Sequence, residues 1–413
     1  MATDLFTPVL NDRTRSVRFF NGRLLSGEAM TDEQSGLRAA RELLAQAVGD
    51  GVAQGFEVKE AVGASATLAP VLAIGAGVAI NRRGEILLLA NDTQVKLVRP
   101  AHPSTAPASL FQTCTPPAQG VYVADSGVYL LTICSLGAAN GLAEVSGLGG
   151  IQASCNAKYV VDAVQFRLLE LPVDKTILSD PRLRNLVAYQ CFGAGHASDF
   201  ATDPFGAAGE PHTLLDDVRA SKLLTDCDVP LALMYWTATG GVQFLDMWSV
   251  RRRVTRAPSP LAALEDARLA VAEAMVSQFQ EQLAALATNP ASTALAATTV
   301  FRHLPPFGMV PVGSTPGRDF SLLTFFASLK TRGPFYIEGS RAASVVRQAL
   351  QFFPIDVASP ELIWLYRIRE NQQAIDDLTG ATPRAALLFV TGQASWRGDA
   401  HLDVSKWNYA NYA

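Results

Sequence analysis

Apolar and polar residues follow two rhythms along this chain, and the changes between them divide it. The longest helical rhythm lies past the middle. After Ser259-Pro260, the residues Leu261, Leu264, Val271, Met275, Phe279, Leu283 and Leu286 recur at spacings near three and four, which predicts an amphipathic helix over 259–287. At 1.5 Å per residue it would run about 42 Å, well beyond the mean globular helix of about 11–12 residues. Such a stripe suits either a subunit contact or a crossing between two domains of one chain; the subunit contact is the favoured expectation.

A second helical stretch lies near the start. Thr31 with Gln34 three residues on reads as a capping box, and Asp32 and Glu33 suit the positive end of a helix dipole. Leu37, Ala40, Leu44, Ala47 and Val48 share one face, and Gly49 and Gly51 end the run. Short apolar runs at 56–58, 71–74, 78–80, 85–89 and 93–98 read as strands, with Asn81-Arg82-Arg83-Gly84 as a hairpin loop. Residues 100–120, rich in Pro, Ser, Thr and Ala, read as a linker. Strands are expected over 120–136 and 159–171, with a glycine-rich loop at 137–150 between them. Helices are expected at 179–191, where Asp180-Pro181 is a start signal, and at 214–224. Two apolar runs flanking Thr239-Gly240-Gly241 predict an antiparallel hairpin beginning near Asp228.

Beyond the long helix, 291–317 reads as irregular, with Leu304-Pro-Pro-Phe-Gly308 as a rigid turn. A helix near 320–329, a strand at 334–338, a helix at 340–352 and strands at 361–369 and 384–390 suggest a small sheet with a helix on one face. The tail from Trp396 is aromatic. The expected fold class is therefore α+β and multidomain, with four parts. Residues 1–99 form an arm, a helix and a small β module, and 100–255 a β-rich central module. Residues 256–290 form the long helix, and 291–413 an α+β module with its aromatic tail.

Composition adds little chemistry. Hydrophobic residues make up 49% of the chain and charged residues 17%, enough for real cores under a surface lean in charge. A net charge of −4 argues against nucleic-acid binding, which wants a clustered basic surface. No run approaches the roughly 18 apolar residues of a membrane span, nothing indicates a membrane contact, and Met1-Ala-Thr-Asp-Leu-Phe6 does not read as a secretory signal. Five widely spaced cysteines with no Cys-x-x-Cys fit reduced cytoplasmic thiols.

The motifs of nucleophile elbows and phosphate loops do not occur. Cys191, His196, His212 and Asp216 would hold zinc only if their loop folded back, and the spacing does not demand it. Adjacent acidic pairs such as Asp216-Asp217 point in different directions on a helix and read as solvated. Arg251-Arg252-Arg253 reads as structural rather than phosphate-binding. No catalytic residue, cofactor or metal is expected.

Four segments carry a family likeness. They are Val17-Arg-Phe-Phe-Asn-Gly-Arg-Leu-Leu25 with its helix, Phe244-Leu-Asp-Met-Trp-Ser-Val-Arg-Arg-Arg253, Phe301-Arg-His-Leu-Pro-Pro-Phe-Gly-Met-Val-Pro-Val312, and Pro360-Glu-Leu-Ile-Trp-Leu-Tyr-Arg-Ile-Arg-Glu-Asn371. Together they resemble proteins of contractile injection systems and phage-tail-like particles, and the arm-then-helix order is similar, more faintly, to the trimeric baseplate subunit of type VI secretion. The resemblance implies a non-enzymatic baseplate or baseplate-associated subunit, present as a trimer or in six-fold copies, cytoplasmic and assembled into a particle with other subunits. Candidate contact residues are Leu264, Val271, Met275 and Phe279 on the long helix, Trp248 and Arg251 after the hairpin, and Trp407 and Tyr409 in the tail. Two rival expectations are a receptor- or glycan-binding module using Trp396, Trp407 and Tyr409, and a metal-dependent hydrolase around Cys191, His196 and His212.

Overall fold

The computed structural model describes residues 16–22, 26–61, 70–97, 111–112, 122–123, 125–142, 157–196, 213–255, 266–368 and 385–394. The fold is α+β and multidomain, built mainly of antiparallel sheets.

Helix α1 (Gly27–Val48) starts a turn earlier than the sequence suggests. Ser26 is the cap, its Oγ accepting from the Ala29 amide at 3.1 Å, while Thr31 donates back to the Gly27 carbonyl inside the helix. Two serviceable cap residues five apart made the start ambiguous, and the earlier one took it. Gly49, at φ 114°, ends the helix as expected.

Two three-stranded sheets follow. One contains β1 (Gly51–Gly55), β4 (Gly77–Ile80) and β5 (Ile86–Leu89); the other contains β2 (Val58–Glu60), β3 (Val71–Ile74) and β6 (Thr93–Lys96). The Asn81–Gly84 loop joins β4 to β5. The Asn81 side-chain oxygen accepts from the amides of Arg83 and Glu85, which closes the turn.

The central sheet consists of β7 (Phe111–Gln112), β8 (Gly127–Leu142), β9 (Ala157–Glu170), β10 (Asp228–Thr237) and β11 (Gly241–Asp246). The predicted hairpin is β10–β11. Strand β8 does not stop at Gly137: it pairs with β9 as far as Leu142, because the partner ladder supplies the hydrogen bonds that a glycine-rich stretch can still accept. Pro230 sits inside β10 where the register with β8 shifts, a bulge that spares the missing donor.

One face of this sheet, with Leu131, Ile133 and Met234, shares a single core with Phe56, Leu72 and Leu87 of the N-terminal sheets. The core thus runs across the expected boundary at 99/100. The other face, with Leu130 and Leu233, packs on α2 (Leu183–Cys191) and α3 (Leu214–Ala220).

Helix α4 (Asp266–Ala287) is the predicted long helix. After it come the single turn α5 (Ala297–Val300), β12 (His303–Leu304), β13 (Phe307–Val312), the single turn α6 (Leu322–Phe325), β14 (Lys330–Ile337), α7 (Gly339–Ala349), β15 (Ile355–Asp356), β16 (Leu362–Ile368) and β17 (Ala385–Thr391). The C-terminal sheet has the order β13-β17-β16-β14, with β14 and β16 parallel. Strand β13 falls in a stretch expected to be irregular. Its Pro311 masks the strand signal, and the strand tolerates it at the sheet edge.

This sheet is covered on both faces rather than one. Tyr366, Leu388 and Val390 pack on α7 through Ala342 and Val345, while Ile363, Leu365, Leu387 and Phe389 pack on Phe279 and Leu283 of α4. The alternation along β16 and β17 sends successive side chains to opposite helices.

Candidate functional site

The long helix is not amphipathic in place. Its first half packs Val271, Ala274 and Met275 against Tyr189 and Phe192 of the central module, and its second half enters the C-terminal core. Met275 and Phe279 are buried inside the chain, so neither lines a subunit contact; a helix that is apolar on most sides is an internal strut. Val271 is half-buried in the same internal seam. Leu264, Trp407 and Tyr409, together with Trp396 and His212, lie outside the described residues.

Trp248 and Arg251 are also internal. Trp248 Nε1 donates to Glu281 of α4 at 2.8 Å, and Arg184 of α2 donates to Glu281 and to Asp246, each at 2.9 Å. Gln278 of α4 donates to the same Asp246 carboxylate at 3.1 Å. Asp246 and Gln278 are fully buried, so the bond between them fastens the central hairpin to the helix without competition from water.

Of the run Arg251-Arg252-Arg253, the first two serve backbone carbonyls. Arg251 donates to the Gly55 and Phe56 carbonyls. Arg252 donates to those of Trp248, Ser249, Arg251 and Cys191, with its guanidinium 5.0 Å from the Phe192 ring. Burial lowers the Arg252 pKa to about 10, which still leaves it charged at neutral pH. Arg253 reaches Glu273 at 3.4 Å across an exposed surface. The run also lies along β1, with the Val52 amide donating to the Arg252 carbonyl at 2.9 Å.

Of the suggested metal quartet, the side chains of Cys191 and Asp216 are described, and each has another role. Cys191 is buried, and desolvation pushes its thiol up to about 12, the opposite of a thiolate ligand. Asp216 closes a capping box with Thr213 at the start of α3. Among the described residues no three His, Cys, Asp or Glu side chains form a metal-binding group, and no helix is long and apolar enough to cross a membrane.

The surface that stands out is α1. Its body-facing side carries Asp32, Gly36, Ala39, Glu42 and Gln46, and its buried residues are alanines only: Ala29, Ala39 and Ala45. Contacts to the body are polar. Gln46 donates to the Arg83 carbonyl at 2.8 Å, Arg38 pairs with Asp162 of β9 at 2.8 Å, and Glu33 accepts from the Val17 amide of the arm at 2.7 Å. Gly84 lies against the Glu42 carbonyl, where an added Cβ would come within 2.1 Å. An open cleft of 230 Å³, lined in part by Arg38, Arg41, Glu42, Ile86 and Asp162, lies beside the helix.

Four of the five large apolar residues face the other way, and the fifth, Leu43, shares the side of Asp32 and Gly36 at 37% exposed. Met30, Leu37, Leu44 and Val48 are 48%, 53%, 69% and 53% exposed. At 100° per residue they fall within about 40° of one another. Apart from Leu43, this helix is therefore amphipathic with its sense reversed: polar and small residues inward, large apolar residues outward. Phe19 and Phe20 of the adjoining arm are exposed as well, as are Ile86 and Leu88 on the outer side of β5. The spacing of Leu37, Leu44 and Val48 places them on one face, but says nothing of whether that face turns to the body or away from it.

No protein-family model matches the chain, and no curated protein matches it in sequence.

Proposed function

We propose that this chain is a non-enzymatic structural subunit of a contractile injection system or phage-tail-like particle, at or near the baseplate, assembling with further copies of itself and with other particle subunits. The observation that carries the assembly role is the outward apolar face of α1. An ordered helix in water gains by burying its apolar stripe; this one presents mostly polar and small residues to its own body and leaves the stripe for another surface. Large exposed apolar patches mark interaction sites. The choice of particle rests on the four segments of family likeness, of which the arm and α1 are one.

The internal joints suit that role. Helix α4 ties the central and C-terminal modules through a buried polar cluster and two apolar seams, giving a stiff body that can transmit load between neighbours. The test is affinity purification of the tagged chain from a native lysate, with negative-stain imaging of what comes with it. Tube-and-sheath particles carrying the tag support the reading; a bare chain with no companion subunits contradicts it.

A further inference from the structure

The geometry points to a second copy of this chain as the occupant of the α1 face, its own α1 lying antiparallel to the first across a twofold axis near Leu37. This rests on the reading of the chain as an assembly subunit and adds the contact through which copies meet.

Three observations lead there. First, Met30, Leu37 and Leu44 are spaced by seven, with exposed Ala40 and Ala47 between and beyond them. A seven-residue repeat over a straight face is the seam that one helix offers to another helix, and small residues beside the leucines allow the two backbones to come close.

Second, the charges that flank the stripe are opposite in sign at its two ends. Glu33 borders it in the first half of α1 and the exposed Arg41 borders it in the second, while Asp32 lies on the body side and Arg38 is paired with Asp162 of the body. Antiparallel pairing about Leu37 brings Glu33 opposite Arg41 of the second copy, twice across the axis. Parallel pairing would set Arg41 against Arg41 and Glu33 against Glu33, and would align the helix dipoles unfavourably. The face is thus complementary to itself only when reversed, which is the requirement of an isologous twofold contact.

Third, the stripe is symmetric in size about Leu37: Met30 and Leu44 are each seven residues away, so the axis places one across from the other. Three such pairs would supply six copies.

The test uses the full chain. Light scattering on the wild type should give twice the 44.1 kDa chain mass, or a multiple of it, and Leu37→Glu should lose that pairing while keeping its circular dichroism and melting temperature. Orientation is read by cross-linking. A mixture of Met30→Cys and Leu44→Cys chains should form disulfide-linked pairs, while Met30→Cys alone should form none beyond the wild-type background. Cross-linking of Met30→Cys with itself would overturn the antiparallel arrangement. A monomeric or trimeric wild type would overturn the pair, as would a Leu37→Glu chain that keeps its mass or loses its fold, since the stripe would then be covered by another part of the same chain. The outcome separates from the wider proposal. Tagged chains found in particles without the mixed cross-link would sink the pair alone, and cross-linked pairs found in no particle would sink the particle reading alone.

Discussion

Gln46 donates its side-chain amide to the Arg83 carbonyl at 2.8 Å, and Leu44, two residues earlier, points the opposite way into solvent. Two positions on a helix are about 200° apart, so fastening the amide to the hairpin loop is what turns the leucine outward. The same geometry repeats along α1, with Asp32, Gly36, Ala39 and Glu42 on the body side and Met30, Leu37 and Val48 on the far side.

A helix held by a few polar contacts should be the first part of the body to open. Gln46→Ala removes one bond that is not deeply buried, worth about 0.5–1.5 kcal/mol. Hydrogen exchange should show faster exchange across α1 in this variant, with β8 and β10 unchanged. Equal acceleration in the central strands would mean that α1 is part of the cooperative core.

The long helix predicts the opposite behaviour. Phe279 is fully buried, with its ring 5.1 Å from that of Phe301 and 5.4 Å from that of Phe389. Phe279→Ala should cost about 3–5 kcal/mol, and Met275→Asp should fail to fold because it places a charge between α4 and α2. Denaturant unfolding measures the first and soluble yield the second. A stable Met275→Asp chain that merely dissociated from its neighbours would restore the subunit contact that the sequence suggested for this stripe.

The pair Arg167–Asp228 is the most deeply buried charge contact described. Asp228 also accepts from Thr132, and from both the backbone amide and the hydroxyl of Thr225. Asp228→Ala leaves the guanidinium without its carboxylate in the interior and should cost about 3–5 kcal/mol. Replacing Asp228 together with Arg167 by apolar residues should cost clearly less, and a thermal-unfolding cycle over the two positions reads the difference.

His303 gives the body a pH dependence. It stacks on Tyr189 with ring centroids 5.1 Å apart, and desolvation lowers its pKa to about 4 from an ordinary value of 6.5, Asp356 opposing that shift and Arg302 adding to it. The unfolded chain takes up the proton at higher pH than the folded one. The contribution is therefore fully present above about pH 6.5 and is lost as pH falls through about 4. Its ceiling is about 3 kcal/mol, reduced by partial solvent access. His303→Phe should flatten the stability profile between pH 6.5 and 4; an unchanged profile would place the titration elsewhere.

How far the sequence could be read follows from these contacts. Strands β4, β5, β6, β9, β10 and β11 were legible because each carries its own alternation or turn signal, as at Asn81–Gly84 and Gly240-Gly241. Strand β1 was not, since Gly51-Val-Ala-Gln-Gly55 has little side chain to show, and its pairing with β4 and with the 252–254 backbone decides it. Strand β13 hid behind Pro311. The direction of the helices' apolar faces was hidden for a related reason. Periodicity reports that a helix has an apolar face, but only the partner says whether that face looks in or out. For α4 the partners are α2 and the C-terminal sheet, which enclose Met275 and Phe279; for α1 the body offers the Arg83 carbonyl and Asp162, which select the polar side.

The most direct test of the assembly role is the sedimentation of the tagged chain from a native lysate, wild type beside Leu37→Glu. The wild type should pellet with particles visible in negative stain, and the variant, equally well folded, should shift to the supernatant. A wild type that stays in the supernatant at the mass of a single chain would contradict the assembly role.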